Sequence, residues 1–191
     1  FSNGIHHHYA TDKFTPEFSE NFFETTVRSL PSNTLPIQAY DNSVEKLIAA
    51  IKPVIFDSTI YAKRVNQNED IDLVKNSANN YYEGVSEAEV DQYYNSKKDP
   101  NDPMPISWGL NSKLMKENGN LVEKIWKIGG MYSDAIQKIV YWLEKASKVA
   151  ENEEQQRVIN SLIDYYESGD LLTFDEYSIL WVKDLDSRID F

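Results

Sequence analysis

The stretch Leu110–Ile128, LNSKLMKENGNLVEKIWKI, carries the clearest β-strand pattern in the chain. Two runs, Leu110 to Lys116 and Leu121 to Ile128, flank the dipeptide Asn118-Gly119. Asn-Gly between two such runs favours the tight turn of a β-hairpin. The stretch therefore predicts one antiparallel hairpin, which Gly129-Gly130 ends.

Helical periodicity predicts two helices in the first third of the chain. One pattern opens at Pro16 and closes at Pro31, with its apolar side chains on one stripe. After a loop over residues 31–42, Ser43 is a suitable cap for a second helix, which Pro53 kinks or ends. The stripes are Phe18, Phe22, Phe23, Val27 and Leu30 in the first helix, and Val44, Leu47, Ile48 and Ile51 in the second.

Two further helical segments precede the hairpin. Residues 70–82 could form a helix that ends at Gly84. Ser86 and Glu89 have the spacing of a capping box, which predicts a short helix that stops before Asp99-Pro100. Three prolines then make residues 99–106 a rigid linker or an exposed loop.

The chain after the hairpin predicts three helices. Their starts are Ser133, Asn152 with Gln155, and Thr173 with Glu176. Gly169 stands where a glycine commonly ends a helix, and it closes the second of them. The apolar spacing of the third continues to Ile189, so we predict that this helix is still running where the sequence stops. Because the chain also begins at Phe1 without a Met, both ends are predicted to be cut.

These elements predict a fold class, α+β and mainly α, with one antiparallel β-hairpin. At 191 residues the chain fits one domain, or one domain with a satellite subdomain. We predict a single partial domain over residues 1–191. A possible subdivision separates a helical part, residues 1–98, from a part with the hairpin and three helices, residues 107–191.

Composition excludes several classes of function. The formal net charge is −12, so nucleic acid is not an expected partner, because phosphate binding requires a basic surface. An anionic membrane surface is disfavoured for the same reason, whereas a cationic ligand such as the amino terminus of a peptide is mildly favoured. The chain has no cysteine, which excludes disulfides, thiolate zinc sites and a nucleophilic thiolate.

The three histidines, His6, His7 and His8, are adjacent. In an extended segment neighbouring side chains alternate between faces, so only His6 and His8 could converge on one metal. A catalytic zinc usually takes three protein ligands, and no His-Glu pair with a second His one helical turn away occurs here. The sequence therefore predicts no metal site and no catalytic residue, and the triplet is interpreted as solvent-facing or packing side chains.

Two other patterns have both a functional and a structural interpretation. Asn and Asp recur at every second position over residues 66–72 like part of a calcium loop, but the required Gly and closing Glu are missing, which favours an exposed polar loop. Tyrosine doublets suit a peptide-binding groove because each ring also offers a hydroxyl, and they equally suit a half-buried helix surface, which we favour. The doublets are Tyr81-Tyr82, Tyr93-Tyr94 and Tyr165-Tyr166.

Four stretches, in this order and spacing, resemble dipeptidyl peptidase III, and in particular its Bacteroides-type members. They are Asn3 to Phe14 with its Lys13-Phe14 pair; Asn80-Tyr81-Tyr82 before the helix at Ser86; the hairpin Asn111 to Ile128; and a tail containing Met131 to Ile136, Leu143 to Ala146 and Trp181 to Asp184. The resemblance spans nearly the whole chain and depends on the order of the motifs more than on any one of them.

The resemblance implies a two-lobed zinc peptidase that removes dipeptides from the amino ends of short peptides. In that family the zinc ligands come from a His-Glu-x-x-Gly-His-type helix and a downstream Glu-Glu motif, and this chain contains neither. The chain thus resembles a fragment of the N-terminal, non-zinc-binding lobe, which is expected to be inactive alone. Its expected partners are the rest of the parent polypeptide, whose other lobe would carry the zinc, and short peptides.

The resemblance also implies one substrate-binding residue. Tyr9 lies four residues before Lys13-Phe14, where the family has an aromatic residue that lines the pocket for the amino-terminal part of the substrate. Tyr9 adds a hydroxyl to the Phe of the family, and a core tyrosine is the alternative interpretation. No family role carries over to the histidines, although His8 is expected to line the cleft. Family members in the cytosol favour a cytoplasmic location, with the periplasm as the alternative.

A rival interpretation from another class is a stand-alone acidic helical binding or scaffold domain with no enzymatic activity. A third is a degenerate relative that kept the fold and lost the metal site. The gene downstream of Phe191 distinguishes them, because only the fragment interpretation expects a zinc-binding helix there.

Overall fold

A computed structural model of the chain describes residues 4–8 and 11–189. These residues contain six α-helices and one small β-sheet. The α+β, mainly α fold class is therefore confirmed. In chain order the elements are α1 Glu20–Ser29, α2 Val44–Phe56, β1 Tyr82–Glu83, α3 Glu87–Asn95, β2 Ser112–Glu117, β3 Asn120–Ile125, α4 Ser133–Ser147, α5 Glu153–Ser168 and α6 Leu171–Lys183, with short 3-10 turns at Ser32–Thr34 and Ile37–Tyr40.

The chain forms two compact units, Phe1–Asn79 and Asn80–Phe191, which are described separately. The first contains α1 and α2, and the second contains the sheet and helices α3 to α6. No helix in the described ranges is both long and apolar enough to cross a membrane.

In the first unit, α1 packs against α2 through aromatic side chains. The Phe56 ring lies 5.8 Å from that of Phe18 and 6.0 Å from that of Phe23. The predicted start of α1 at Pro16 is wrong, since Ser19 caps the helix by accepting a hydrogen bond from a backbone N–H. The cap of α2 at Ser43 is confirmed, as its Oγ accepts from the N–H of Lys46.

Pro53 does not end α2. The helix continues for three residues beyond it to Phe56, and the N–H of Asp57 donates to the Pro53 carbonyl at 2.9 Å. Proline lacks only its own N–H and leaves its carbonyl free to accept. The last turn of the helix can therefore close downstream of the proline.

The helix considered for residues 70–82 is wrong. Side-chain oxygens of Asn66, Asn68 and Asp72 each accept from a backbone N–H two or three residues further along the chain. Such local bonds give the backbone an alternative to the helical hydrogen-bond ladder. Residues 66–72 consequently form turns and bends, and the segment ends in strand β1, Tyr82–Glu83.

The predicted hairpin is confirmed in the second unit. Strands β2 and β3 are antiparallel from the pair Ser112 and Ile125 to the pair Glu117 and Asn120. Asn118 and Gly119 between them have φ of 50° and 84°, which is the positive-φ pair that a type I′ turn requires. The two-residue strand β1 pairs in parallel with the other edge of β2, so the sheet has the order β1-β2-β3. Two residues are too few for a periodic signal, and the sequence therefore showed only the hairpin.

Helix α3 begins with the predicted capping box. Ser86 Oγ accepts from the N–H of Glu89, and the Glu89 carboxylate accepts from the N–H of Ser86 at 2.9 Å. The same carboxylate pairs with Lys116 Nζ of β2. The box therefore also ties α3 to the sheet.

The Glu89 carboxylate gives the protein a defined acid sensitivity. The hydrogen bond from Lys116, followed by that from the Ser86 N–H, lowers its pKa from 4.5 to about 2. A carboxyl whose pKa falls on folding stabilises the folded state above its unfolded pKa, and this stabilisation is lost as the pH falls through the folded value. We expect the wild type to have a higher free energy of urea unfolding than Glu89→Gln at pH 6, with a difference that disappears between pH 4.5 and 2. Glutamine preserves the capping acceptor, so a difference independent of pH would contradict this assignment.

Helix α4 does not begin with a serine cap. The capping position is Tyr132, in a left-handed conformation with φ of 61° and no side-chain capping bond. The Oγ of Ser133 instead accepts from the N–H of Gly129, four residues earlier, and this hydrogen bond closes the Gly129-Gly130 turn. The prediction of Ser133 as the cap is therefore wrong by one position, because the serine is already the first residue of the helix.

The predicted ends of α5 are confirmed, whereas the predicted start and end of α6 are wrong. Asn152 caps α5 by accepting from the N–H of Gln155, and Gly169, with φ of 69°, ends it, as predicted. The capping box of Thr173 with Glu176 is wrong, since Asp170 caps α6 three residues earlier. Helix α6 ends at Lys183, so the helical pattern predicted through Ile189 is also wrong.

The buried side chains of the second unit lie in the sheet and in helix α5, which packs against both α4 and α6. Leu114 of β2 is fully buried, and Val158 and Ile159 of α5 are almost so. At the end of α5, the Nδ2 of Asn111 donates to the Gly169 carbonyl at 2.9 Å, and this bond joins the start of the hairpin to the helix terminus. A buried hydrogen bond therefore joins the start of the hairpin to the end of α5.

Candidate functional site

The first unit presents the segment that carries the predicted substrate-binding residues. Tyr9 lies outside the described residues, and His8 is exposed, with its carbonyl accepting from Arg64 Nη2 at 3.3 Å. The flanking residues pair across this segment: the N–H of His7 donates to the Asp12 carbonyl and that of Phe14 to the Ile5 carbonyl, both at 2.8 Å. The roles predicted for Tyr9 and His8 stay predictions.

The three imidazoles have separate environments. His6 is 5% exposed, and its Nε2 donates to the Tyr61 carbonyl at 2.7 Å. The His7 ring packs on Phe14 with centroids 4.2 Å apart, while His8 faces solvent. Over residues 4–8 and 11–189, no three His, Cys, Asp or Glu side chains are grouped to hold a metal. The described residues therefore do not provide the ligand set for the zinc ion of the family that the sequence resembles.

Lys13, which the sequence marked only as part of a motif, anchors this segment to helix α2. Its Nζ donates to the carbonyls of Asp57 at 2.6 Å and Ile60 at 2.9 Å, just past the end of the helix. A cation is favoured there because helix carbonyls are unsatisfied and the helix dipole is negative at that end. Next to it, Asp12 pairs with Lys63, and this hydrogen bond lowers the pKa of the Asp12 carboxyl.

The second unit contains one dense polar cluster, centred on Glu123 of β3. The Glu123 Oε1 accepts from Ser112 Oγ at 2.6 Å and from the Tyr94 hydroxyl at 3.2 Å. Its Oε2 accepts from the Tyr93 hydroxyl at 3.1 Å and from Lys97 Nζ. Two donors on each oxygen leave the carboxylate largely saturated.

Aromatic rings enclose the cation of the same cluster. The Lys97 Nζ lies 4.6 Å from the centroid of the Tyr93 ring, 5.8 Å from that of Tyr94 and 5.2 Å from that of Trp108. Aromatic faces attract an ammonium through the ring quadrupole, most strongly where water is displaced. Tyr94 of the doublet is buried and Tyr93 is half-buried, so the doublet packs α3 inward.

The titration behaviour of the cluster indicates a structural role. Burial raises the pKa of Glu123, but the hydrogen bonds from Lys97 and Ser112 outweigh it and the net pKa is lowered. Burial likewise lowers the pKa of Lys97, and the hydrogen bond to Glu123 reverses this to a net increase. Because burial also raises the pKa of the Tyr94 hydroxyl, that group stays a donor. A carboxylate that already accepts four hydrogen bonds has no capacity left for general base catalysis.

The Glu123 cluster was not found from the sequence as a unit. Its members come from α3, the loop before β2, and both strands of the hairpin, so only tertiary structure brings them together. A Lys, a Glu and adjacent tyrosines were visible in the sequence, but nothing in their spacing indicates contact.

Comparison with protein families assigns this α+β chain to a class of metallopeptidases. Residues 55–191 match the model of peptidase family M49, and the chain belongs to that family, which is the dipeptidyl peptidase III family. A comparison with curated proteins gave no match. The family match covers three of the four stretches on which the sequence resemblance was based, but it begins after Tyr9 and Lys13, whose segment lies outside it.

Proposed function

We propose that this chain is a substrate-cleft-forming lobe fragment of a Bacteroides-type zinc metallopeptidase that removes dipeptides from the amino ends of short peptides. The family match over residues 55–191 carries the proposal. In addition, the three histidines of the chain are adjacent, at His6 to His8. A zinc-binding helix needs two histidines one helical turn apart, and this spacing does not occur in the sequence. The zinc ligands of the peptidase would come from the rest of the parent polypeptide, and the isolated chain would be inactive.

Exposed apolar side chains on α6 support a partner for the second unit. Leu172, Ile179 and Val182 are each more than half exposed, and Leu185 just after the helix is 86% exposed. Leu171, the first residue of α6, is buried. A helix that is apolar on several faces is typical of a segment covered on more than one side. In the proposed function, the zinc-binding lobe or its connection covers this surface.

In this proposal the chain contributes binding and the partner lobe contributes the metal. Zinc, when bound in the partner lobe, supplies an activated water for hydrolysis. The chain would form one wall of the cleft, with Tyr9 and His8 against the amino-terminal part of the peptide. Holding the peptide between two lobes orients the scissile bond and excludes bulk water.

The test is complementation between purified pieces. We expect the chain alone to retain no zinc after dialysis and to release no dipeptide from a dipeptidyl arylamide. Mixing it with a separately expressed zinc-binding lobe from a member of the same family should restore hydrolysis, and Tyr9→Ala should raise KM more than it lowers kcat.

Two outcomes contradict this proposal. Zinc held by the chain alone at one ion per molecule, or hydrolysis by the chain alone, would refute its assignment as the non-catalytic lobe. Failure of every family zinc lobe to bind the chain would favour the stand-alone acidic scaffold domain instead.

A further inference from the structure

An aromatic cluster in the second unit contains a buried hydrogen-bond donor with no acceptor. The indole N–H of Trp126, directly after β3, is buried and has no hydrogen-bond partner within the described part of the chain. A buried donor left unpaired destabilises the folded protein. Such a group in a native protein calls for an acceptor that arrives from outside the chain, either water or a ligand.

Two tyrosines flank this indole. The Tyr81 ring lies 5.4 Å from the Trp126 ring and is inclined to it by 32°, and the Tyr132 ring lies 5.7 Å away at 67°. Tyr81 is 40% exposed and Tyr132 is 50% exposed. The three rings therefore form a short row with a solvent-facing side, and the central indole N–H is buried without an acceptor among the described residues.

The backbone holds Tyr132 in this row at an energetic cost. Its φ of 61° is left-handed, a region that bulky side chains rarely adopt. The preceding turn is packed tightly, since a Cβ on Gly130 would lie 2.4 Å from the Ile125 carbonyl oxygen. Strain of this kind persists where the surrounding structure enforces it, and it is frequent at ligand-binding positions.

We propose that Tyr81, Trp126 and Tyr132 form a binding site for a proline-containing extended peptide. A polyproline II segment presents flat, rigid rings that pack on aromatic faces, together with carbonyls that its own backbone does not use. The Trp126 N–H donates to one of these carbonyls, and proline rings pack against the two tyrosines. Binding in this way requires the buried N–H to become accessible, and the exposed Tyr132 ring is the neighbour that would move aside. The site lies wholly within the second unit and does not depend on the proposed peptidase function.

The chain allows a direct spectroscopic test. It has four tryptophans, so a ¹⁵N-labelled sample gives four indole N–H signals, and Trp126→Phe identifies the one of interest. Titration with N-acetyl-tetraproline amide should move the Trp126 signal downfield in a saturable way and leave that of the exposed Trp142 in place. N-acetyl-tetraalanine amide is the matched control peptide, which should cause less than a tenth of the shift at the same concentration.

Substitutions separate binding from folding. Trp126→Phe should weaken the tetraproline affinity about tenfold, as expected for the loss of one hydrogen bond. Tyr132→Gly relieves the left-handed strain and should keep or raise the melting temperature while it weakens binding at least fivefold. Tyr132→Phe, which preserves the ring, should bind as the wild type does.

The proposal is wrong if the Trp126 signal stays fixed at saturating tetraproline, in which case an internal water meets the N–H. Equal shifts with tetraproline and tetraalanine would also overturn it, as would undiminished binding to Tyr132→Gly.

Discussion

Replacement of Glu123 by alanine is expected to lower the free energy of unfolding of the second unit by about 3–5 kcal/mol. Only 11% of the Glu123 side chain is exposed, and its carboxylate accepts four hydrogen bonds. Without it, the ammonium of Lys97 is left half-buried among aromatic rings with no counter-charge. Removal of one partner from such a pair is destabilising, because the remaining charge is desolvated and has no opposite charge to compensate for it.

Urea unfolding followed by far-ultraviolet circular dichroism measures this loss. Glu117→Ala is the matched control, since Glu117 is also a hairpin glutamate paired with a lysine, Lys124, but both side chains are more than 40% exposed. An exposed pair of this kind contributes about 0–1 kcal/mol. If the two alanine variants are destabilised equally, the Glu123 cluster does not hold α3 to the sheet.

A double-mutant cycle with Lys97→Met isolates the ion pair itself. Methionine keeps the apolar stem and removes the charge. We expect the double variant to lose less free energy of unfolding than the two single variants lose together, because each single substitution leaves the other charge without its partner. Additive losses would mean that the hydroxyls of the cluster, and not Lys97, account for the effect of Glu123.

Replacement of Gly169 by alanine is expected to cost about 2–5 kcal/mol. Gly169 ends α5 with φ of 69°, where a side chain costs about 1–2 kcal/mol. A Cβ there would also lie 2.6 Å from the Cγ2 of Ile125 on β3. Crowding in a packed region adds about 1–3 kcal/mol. The two penalties act together because the helix end and the sheet approach each other at this residue.

Gly119 in the hairpin turn separates the two penalties. Its φ is 84°, but a Cβ would meet no atom within 4 Å. Gly119→Ala therefore carries the conformational cost alone, about 1–2 kcal/mol. Thermal and urea unfolding of both variants give the comparison. Equal destabilisation would show that contact between Gly169 and the sheet is unimportant.

Local signals succeeded where neighbouring residues complete the interaction. The Ser86 capping box, the Asn118-Gly119 turn and the Asn152 cap each form within a few residues, so the sequence carries all their partners. The prediction at Ser133 failed because its hydroxyl accepts from the Gly129 N–H of the preceding turn, and the prediction at Thr173 failed because Asp170 takes the capping role. Tyr132 precedes Ser133 in the capping position, and Asp170 caps α6 ahead of Thr173.

The candidate sites also show that local features are visible in the sequence and that contacts between distant residues are not. The sequence picked out Tyr9 and the histidines by resemblance and by residue type, but it did not indicate that His6 bonds to the Tyr61 carbonyl or that Lys13 bonds beyond the end of α2. These contacts join residues more than 40 positions apart. No periodicity over a short window records such a pairing.

The sequence by itself determined the fold class, the hairpin with its turn, and membership of a family whose motifs keep their order along the chain. Only the tertiary structure decided which charges are paired, that β1 extends the sheet, and that the Trp126 N–H is buried without an acceptor. The physical reason is the distance along the chain over which each kind of interaction acts. Backbone preferences and capping bonds act between near neighbours, whereas burial and charge pairing depend on which distant segments the packed core brings into contact.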